Sequence, residues 1–222
     1  LTINALRKEN KENEKKYLLK EIKQTKFTRK LNFGDIEEDI KKCLEVLRNG
    51  GLILYPTDTV WGIGCDATNS EAVAKVYALK QRDDSKSLIV LFDTVQRVQG
   101  YVERMPDVAY DMIDLSDRPL TLILDGAKNM ATNLIATDGS VGIRVTNEKF
   151  SHDLCARFRK PLVSTSANIS GQPSAAIYSE ISQAIIDGVD YVVKYRQDDN
   201  TKKKPSSIVK LSSNGLVKII RE

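Results

Sequence analysis

Four stretches of this 222-residue chain carry side chains able to hold an anion. Lys80-Gln81-Arg82-Asp83-Asp84-Ser85-Lys86 places three cations within seven residues. Two ammonium point charges and a planar guanidinium fork at that spacing suit a polyphosphate. The same cations at a helix C-terminus also complement the helix dipole with no ligand at all. Ser164-Thr165-Ser166-Ala167-Asn168-Ile169-Ser170-Gly171 packs four hydroxyls and an amide together, a neutral cradle for phosphate or carboxylate oxygens if Gly171 supplies the bend. Taken alone, that stretch is equally a polar turn. Arg144 stands near the end of the apolar run Val141-Gly142-Ile143-Arg144-Val145, where a fixed guanidinium can clamp a carboxylate. Tyr55-Pro56-Thr57-Asp58-Thr59 is a polar break between a strand and a glycine pair.

Other chemistries lack their residues. Gly62-Ile63-Gly64-Cys65-Asp66-Ala67 matches a loose dinucleotide fingerprint, with Asp83-Asp84 downstream. The fingerprint needs its glycines in the turn that joins a strand directly to a helix, whereas Thr57 to Trp61 intervenes and the next helix cap waits until Asn69-Ser70. The glycines therefore read as pocket wall. Cys43, Cys65 and Cys155 are odd in number and widely spaced, which fits neither a disulfide framework nor paired zinc ligands, so buried reduced thiols are expected. The single histidine, His152, cannot build a multi-histidine metal site, and no Gly-x-Ser-x-Gly elbow accompanies it.

These groups need a scaffold, and the apolar patterning supplies one. Asp35 and Glu38 form a capping box ahead of Ile40, Cys43, Leu44 and Leu47, and Gly50-Gly51 ends that helix. Strands are expected at 52–55, 88–92, 120–124, 141–145, 161–164 and 191–194, with a closing hairpin of 207–211 and 216–220. Helices are expected from the Asn69-Ser70 cap onward and over 106–115, 148–159 and 178–186. Interleaved strands and helices without a break give an α/β fold, a single domain with a twisted mixed sheet flanked by helices. Its antiparallel pairs are expected from the terminal hairpin. Ligands on such sheets sit where strands run out into polar loops.

Composition is ordinary for a globular chain, 41% apolar and 29% charged. No stretch approaches the roughly 18 unbroken apolar residues of a membrane span, and no signal-peptide core is visible, so a cytoplasmic protein without membrane partners is expected. The net charge of +4 is concentrated: residues 1–30 hold ten Lys or Arg against four Glu, which leaves −2 for the other 192 residues. Residues 1–34 read as a basic extension and 35–222 as the folded domain.

The Tyr55 to Asp66 segment, Lys80-x-Arg82-x-x-x-Lys86, Val141 to Val145, Ser164-Thr165-Ser166-Ala167-Asn168 and Pro205-Ser206-Ser207-Ile208-Val209 resemble, in this order, the YrdC/TsaC family of threonylcarbamoyl-AMP synthases. The resemblance spans roughly residues 35 to 222. It implies a YrdC-like (DHBP-synthase-like) fold and an ATP-dependent condensation of L-threonine with bicarbonate. Threonylcarbamoyl-adenylate and pyrophosphate are the implied products, with a tRNA-modifying transferase complex receiving the adenylate. Lys80 and Arg82 match the family's catalytic pair. Thr57, Arg144, Ser164 and Ser206 match threonine contacts. Arg82, Lys86, Ser140, Ser166, Asn168, Ser174 and Arg221 match ATP contacts. Mg2+ is implied on the ATP phosphates rather than in a protein cage.

The chain departs from the family pattern where many relatives carry Trp-Pro-Gly-Pro and this sequence reads Asp117-Arg118-Pro119-Leu120-Thr121, and at Leu91, where some place His. The extra C-terminal domain of longer relatives is not expected after Arg221. Two rival readings follow from the same residues. A non-enzymatic double-stranded RNA or tRNA-binding module would use Lys80, Arg82, Lys86 and Arg144 on a phosphate backbone, with salt-sensitive affinity. A diverged relative would use the cradle for another carbamoyl or nucleotide substrate.

Overall fold

The short apolar run after Gly50-Gly51 folds as strand β1 (Ile53–Tyr55), with all three residues buried. It follows helix α1, whose described part covers residues 36–48 and which stops at Gly50, held at φ +71°. The computed structural model describes residues 36–82 and 88–222. By its contacts the chain divides into Leu1–Glu38 and Asp39–Glu222, and everything that follows concerns the second unit. The basic extension, the Asp35 end of the expected capping box and Lys86 lie outside the described residues.

From β1 the chain continues through β2 (Gly62–Gly64), α2 (Ser70–Lys80), β3 (Ile89–Phe92), α3 (Val95–Val98), α4 (Asp107–Asp114), β4 (Leu120–Leu124) and β5 (Val141–Val145). It closes with α5 (Lys149–Phe158), β6 (Leu162–Ser166), α6 (Gln183–Asp187), β7 (Tyr191–Val192), β8 (Ser207–Leu211) and β9 (Val217–Arg221). The nine strands form one sheet in the order β7-β1-β2-β6-β3-β5-β4-β8-β9. Leu54, Ile63, Val90, Leu122, Ile143 and Val163, one from each of the six central strands, are buried in a common apolar core. The fold is the expected α/β arrangement of a mixed sheet with flanking helices. Three corrections apply.

Antiparallel pairing is not confined to the terminal hairpin. The pairs β1/β2, β2/β6, β3/β6 and β4/β5 are antiparallel as well, whereas β1/β7, β3/β5 and β4/β8 are parallel. The return strand β2, read from sequence only as wall, produces two of these. The second correction concerns β6, which runs on to Ser166. Ser166 pairs with Gly62 and Thr165 with Ile63, so a neighbouring strand captures hydroxyl residues expected in a loop. Third, the helix expected over 178–186 is broken into a turn at Tyr178–Glu180 and the short α6. Ile181 sits between them in an extended conformation, φ −75° and ψ 129°, which lets its side chain turn into the core.

Helix boundaries follow local chemistry. The Asn69 side chain accepts the N–H groups of Glu71 and Ala72 at 3.0 and 3.1 Å, so α2 starts at the expected cap. It ends at Gln81, whose φ of 49° is left-handed. Cys43, Cys65 and Cys155 are buried free thiols, and desolvation pushes each thiol up and away from reactivity. Among the described residues no helix is long and apolar enough to cross a membrane.

The two glycines of β2 differ in what surrounds them. A Cβ on Gly64 would stand 2.8 Å from Tyr55 Cε1 and 3.0 Å from the Val163 carbonyl, whereas one on Gly62 would meet nothing closer than 3.4 Å. Gly64→Ala is therefore expected to lower unfolding stability by about 1–3 kcal/mol, and Gly62→Ala by less than about 1 kcal/mol, in urea denaturation.

Candidate active site

Where β1 runs out, Thr57 closes a tight turn with its own side chain. Its hydroxyl donates to the Val60 carbonyl at 2.7 Å and accepts the Thr59 N–H at 3.0 Å. The Thr59 hydroxyl lies 3.0 Å from it and accepts from Arg144 Nη1 at 3.2 Å, so the hydroxyl protons run in one direction, from Thr59 to Thr57 to Val60. The Thr57 hydroxyl is thereby saturated. The backbone of the turn is fixed from outside by Arg196, which donates to the Thr57 carbonyl at 3.1 Å and pairs with Asp199 at 2.9 Å. Asp39, 1% exposed on α1, accepts the N–H groups of Lys194 and Tyr195 and so anchors the segment that carries Arg196.

Arg144 rises from β5 opposite Leu91 of β3. It is 4% exposed, which makes its guanidinium an interior charge. Thr59 takes one Nη, and Asp58 Oδ1 stands 3.2 Å from the other. Two further guanidiniums face the same space. Arg82 follows the left-handed Gln81 at the end of α2, half-buried, with its own N–H on the Tyr77 carbonyl at 3.0 Å. Burial holds its pKa below the ordinary arginine value. Arg221 comes from β9, where Ile208 pairs with Arg221 but Val209 with Ile219, so Ile220 is an extra residue. Such a bulge re-aims the neighbouring side chain. Arg221 donates from Nε and Nη2 to the Ser206 carbonyl at 2.9 and 2.7 Å. Its pKa is lowered first by burial and then by the Arg144 charge.

Together these side chains enclose a cavity of about 230 Å³ lined by Thr57, Arg82, Arg144, Ser164, Ser166, Ser174, Ser206 and Arg221, with Trp61, Thr59 and Thr165 completing the wall. Of the twelve residues singled out from the sequence, eleven are among the described residues, and eight of these meet there. Two larger spaces are also present. One, of about 690 Å³, shares Pro205 and Arg221 with the first cavity and is lined by Arg118, Lys203 and Lys204. The other, of about 420 Å³, carries Asp93, Asp114, Asp117 and Glu148. Asp58 lines both.

Lys80, Ser140 and Asn168 do not line the cavity. Lys80 is 1% exposed, and its ammonium donates to the carbonyls of Ser166 and Asn168 at 2.5 and 2.6 Å. Burial, followed by the neighbouring Arg82 charge, brings its pKa down to about 8, while the carbonyl oxygens around it favour the ammonium form. Lys80 is the peg on which the end of β6 hangs. Asn168 stitches the same bend from within, donating to the Ile169 and Gln172 carbonyls at 3.0 and 2.6 Å. Ser140 opens β5 with its hydroxyl on Asp138 at 2.6 Å.

Sequence reasoning missed Asp58 and Thr59 as partners of Arg144, although both stand in the polar run already singled out. Arg196 carried no signal beyond its charge. Trp61, the single tryptophan, packs its ring 5.1 Å from that of Tyr178 and shapes the cavity's apolar side.

With this geometry in place, comparison with known proteins is informative. The Sua5/YciO/YrdC family model, described as "Telomere recombination", matches residues 45–222. A threonylcarbamoyl-AMP synthase of Pseudoalteromonas translucida is 35% identical over 82% of this chain and 97% of its own length. A putative threonylcarbamoyl-AMP synthase of Methanocaldococcus jannaschii is 35% identical over 82% of this chain and 87% of its own. Among solved structures, E. coli YciO superposes with a TM-score of 0.72 at 23% identity, over 82% of this chain and 88% of that one. P. abyssi Sua5 complexed with L-threonine gives a TM-score of 0.69 at 21% identity, over 78% of this chain and 50% of that one. The chain thus spans about half of the Sua5 chain, and these two likenesses are of fold. On sequence and fold together, the chain belongs to the Sua5/YciO/YrdC family.

Proposed function

We propose that this protein joins L-threonine, bicarbonate and ATP into threonylcarbamoyl-adenylate, releasing water as the amine and bicarbonate form the carbamate and pyrophosphate as the carbamate is adenylated, and that a tRNA-modifying transferase complex consumes the adenylate. The observation that carries this reading is the convergence of Arg82, Arg144 and Arg221 on one hydroxyl-lined cavity. Attack of a carbamate oxygen on the α-phosphorus forms one P–O bond and breaks the bond to the leaving pyrophosphate. It requires alignment and neutralised charge rather than a protein nucleophile. Curated relatives named threonylcarbamoyl-AMP synthase at 35% identity support the reading, as does the L-threonine complex of Sua5.

The cavity divides by size. At about 230 Å³ it falls below the roughly 300–1,000 Å³ usual for cofactor-sized ligands, so it suits the amino acid and the reacting phosphate. The rest of the nucleotide extends into the adjoining space, which shares Arg221. Mg2+ travels on the ATP phosphates. The donors here are hydroxyls and guanidiniums, and among the described residues no cluster of three or more His, Cys, Asp or Glu could hold a metal ion.

Protein supplied with ATP, Mg2+, bicarbonate and L-threonine is expected to release pyrophosphate in a threonine-dependent manner; folded protein that releases none would defeat the proposal. Two variants separate charge from scaffold. Arg82→Ala should reduce turnover at least about a hundredfold while shifting stability by under about 1 kcal/mol, because a half-exposed cation adds little to folding. Lys80→Met should lose activity together with about 2–4 kcal/mol of stability, because it strands two carbonyls. Urea denaturation read beside the pyrophosphate assay distinguishes them.

A further inference from the structure

The Arg144–Asp58 contact is close but poorly satisfied. Nη2 and Oδ1 are 3.2 Å apart, yet Asp58 Oδ1 receives no aligned hydrogen bond, and Arg144 Nε has no partner among the described residues. The two side chains face different spaces. Arg144 lines the inner cavity, whereas Asp58 lines the two larger ones. A guanidinium with 5% of its side chain exposed needs an anionic counterpart in the interior, and Asp58 is the carboxylate within ion-pair distance of it among the described residues. A ligand carboxylate approaching from the cavity would meet the unused Nε and compete with Asp58 for the same positive charge.

We infer that Asp58 is the resident counter-ion of Arg144, displaced when a ligand carboxylate enters the cavity, and that its competition sets the affinity for such ligands. The identity of the ligand as L-threonine rests on the function proposed above; the exchange itself does not. The free protein keeps Arg144 paired and folded, and each binding event must first outbid that pair. Asp58 is thus a positioning and affinity-setting residue rather than a catalytic one. Thr59 supports the same guanidinium through a neutral hydrogen bond and does not compete for charge.

The test uses L-threonine and acetate as probes, followed by calorimetry and thermal shift on wild type, Asp58→Asn and Asp107→Asn. Asp58→Asn keeps the side-chain shape and removes the charge. It is expected to melt at a lower temperature when free, to bind both probes about tenfold more tightly, and to gain more in melting temperature on binding. KM for L-threonine should fall by a similar factor while kcat changes less than about twofold. Asp107→Asn, which removes an exposed carboxylate of α4 that lines none of the three spaces, should leave both affinities within about twofold of wild type. Unchanged or weaker binding of both probes by Asp58→Asn overturns the inference, as does selective loss of L-threonine binding, which would make Asp58 a partner of the ligand's ammonium group. If acetate follows the expected pattern and L-threonine binds neither protein, the function proposal fails and the exchange stands. Should Asp58→Asn fail to fold, crystals of the wild type soaked in either probe decide the question. The 3.2 Å contact opens if the inference holds, and a ligand bound beside an unbroken contact, or no binding at all, overturns it.

Discussion

The Lys80 ammonium sits where almost no solvent reaches, and the loop that completes the site is folded around it. The carbonyls of Ser166 and Asn168 point inward to its Nζ, while the N–H of Ser170 returns to the Lys80 carbonyl at 2.8 Å. A charge taken out of water at such expense is held only if polar groups replace the lost hydration. The end of β6 supplies them, and in doing so it commits its backbone. With the carbonyls turned toward Lys80, the side chains of Ser164 and Ser166 remain available to the cavity wall. Helix α2 therefore determines the course of a strand more than eighty residues later, and the cavity inherits its rigidity from that tie.

Charge is distributed around this peg in a graded way. Lys80 is neutralised by dipoles, Arg144 by a carboxylate and a hydroxyl, and Arg221 by one carbonyl shared between two nitrogens. Lys80 and Arg144 are buried away from the solvent a surface cation would keep, whereas Arg221 stays exposed on β9, and burial lowers the pKa of both Lys80 and Arg221. An enclosed space lined by incompletely compensated guanidiniums stabilises charge that develops on a bound phosphate without having to reorganise water. The turn at Thr57 adds rigidity rather than charge, because its hydroxyl has spent its proton and accepts from two donors within the turn.

Much of this was legible in the sequence, and the failures have physical causes. β4 and β5 appear with the expected limits because their apolar runs are uninterrupted. β2 escaped notice because two of its three residues are glycines with no strand propensity; close packing against Tyr55 and Val163 is what selects Gly64. Thr165 and Ser166 read as a loop because hydroxyl residues favour turns, and only the tertiary pairing with Ile63 and Gly62 reveals that the strand expected to end at Ser164 continues. Local sequence presents Lys80 as one of three equivalent cations. That it turns inward while Arg82 turns to the cavity depends on a loop far along the chain. Arg221 was placed by resemblance alone, since a one-residue bulge leaves no local signature.

The strand that carries Arg221 has a dynamic consequence. β9 lies at the end of the sheet order, pairs with β8, and is exposed along its whole length, with Val217, Ile219 and Ile220 at 50%, 62% and 49%. Edge strands with little buried surface are the parts of a fold whose amide protons exchange through the smallest openings. One wall of the cavity is thus mounted on an exposed margin while the opposite wall, which Arg144 lines and Lys80 braces from behind, is buried. Detachment of five residues at the margin would withdraw a guanidinium from the cavity and leave the rest of the sheet intact, so this site has a soft side and a hard side built into the order of its strands.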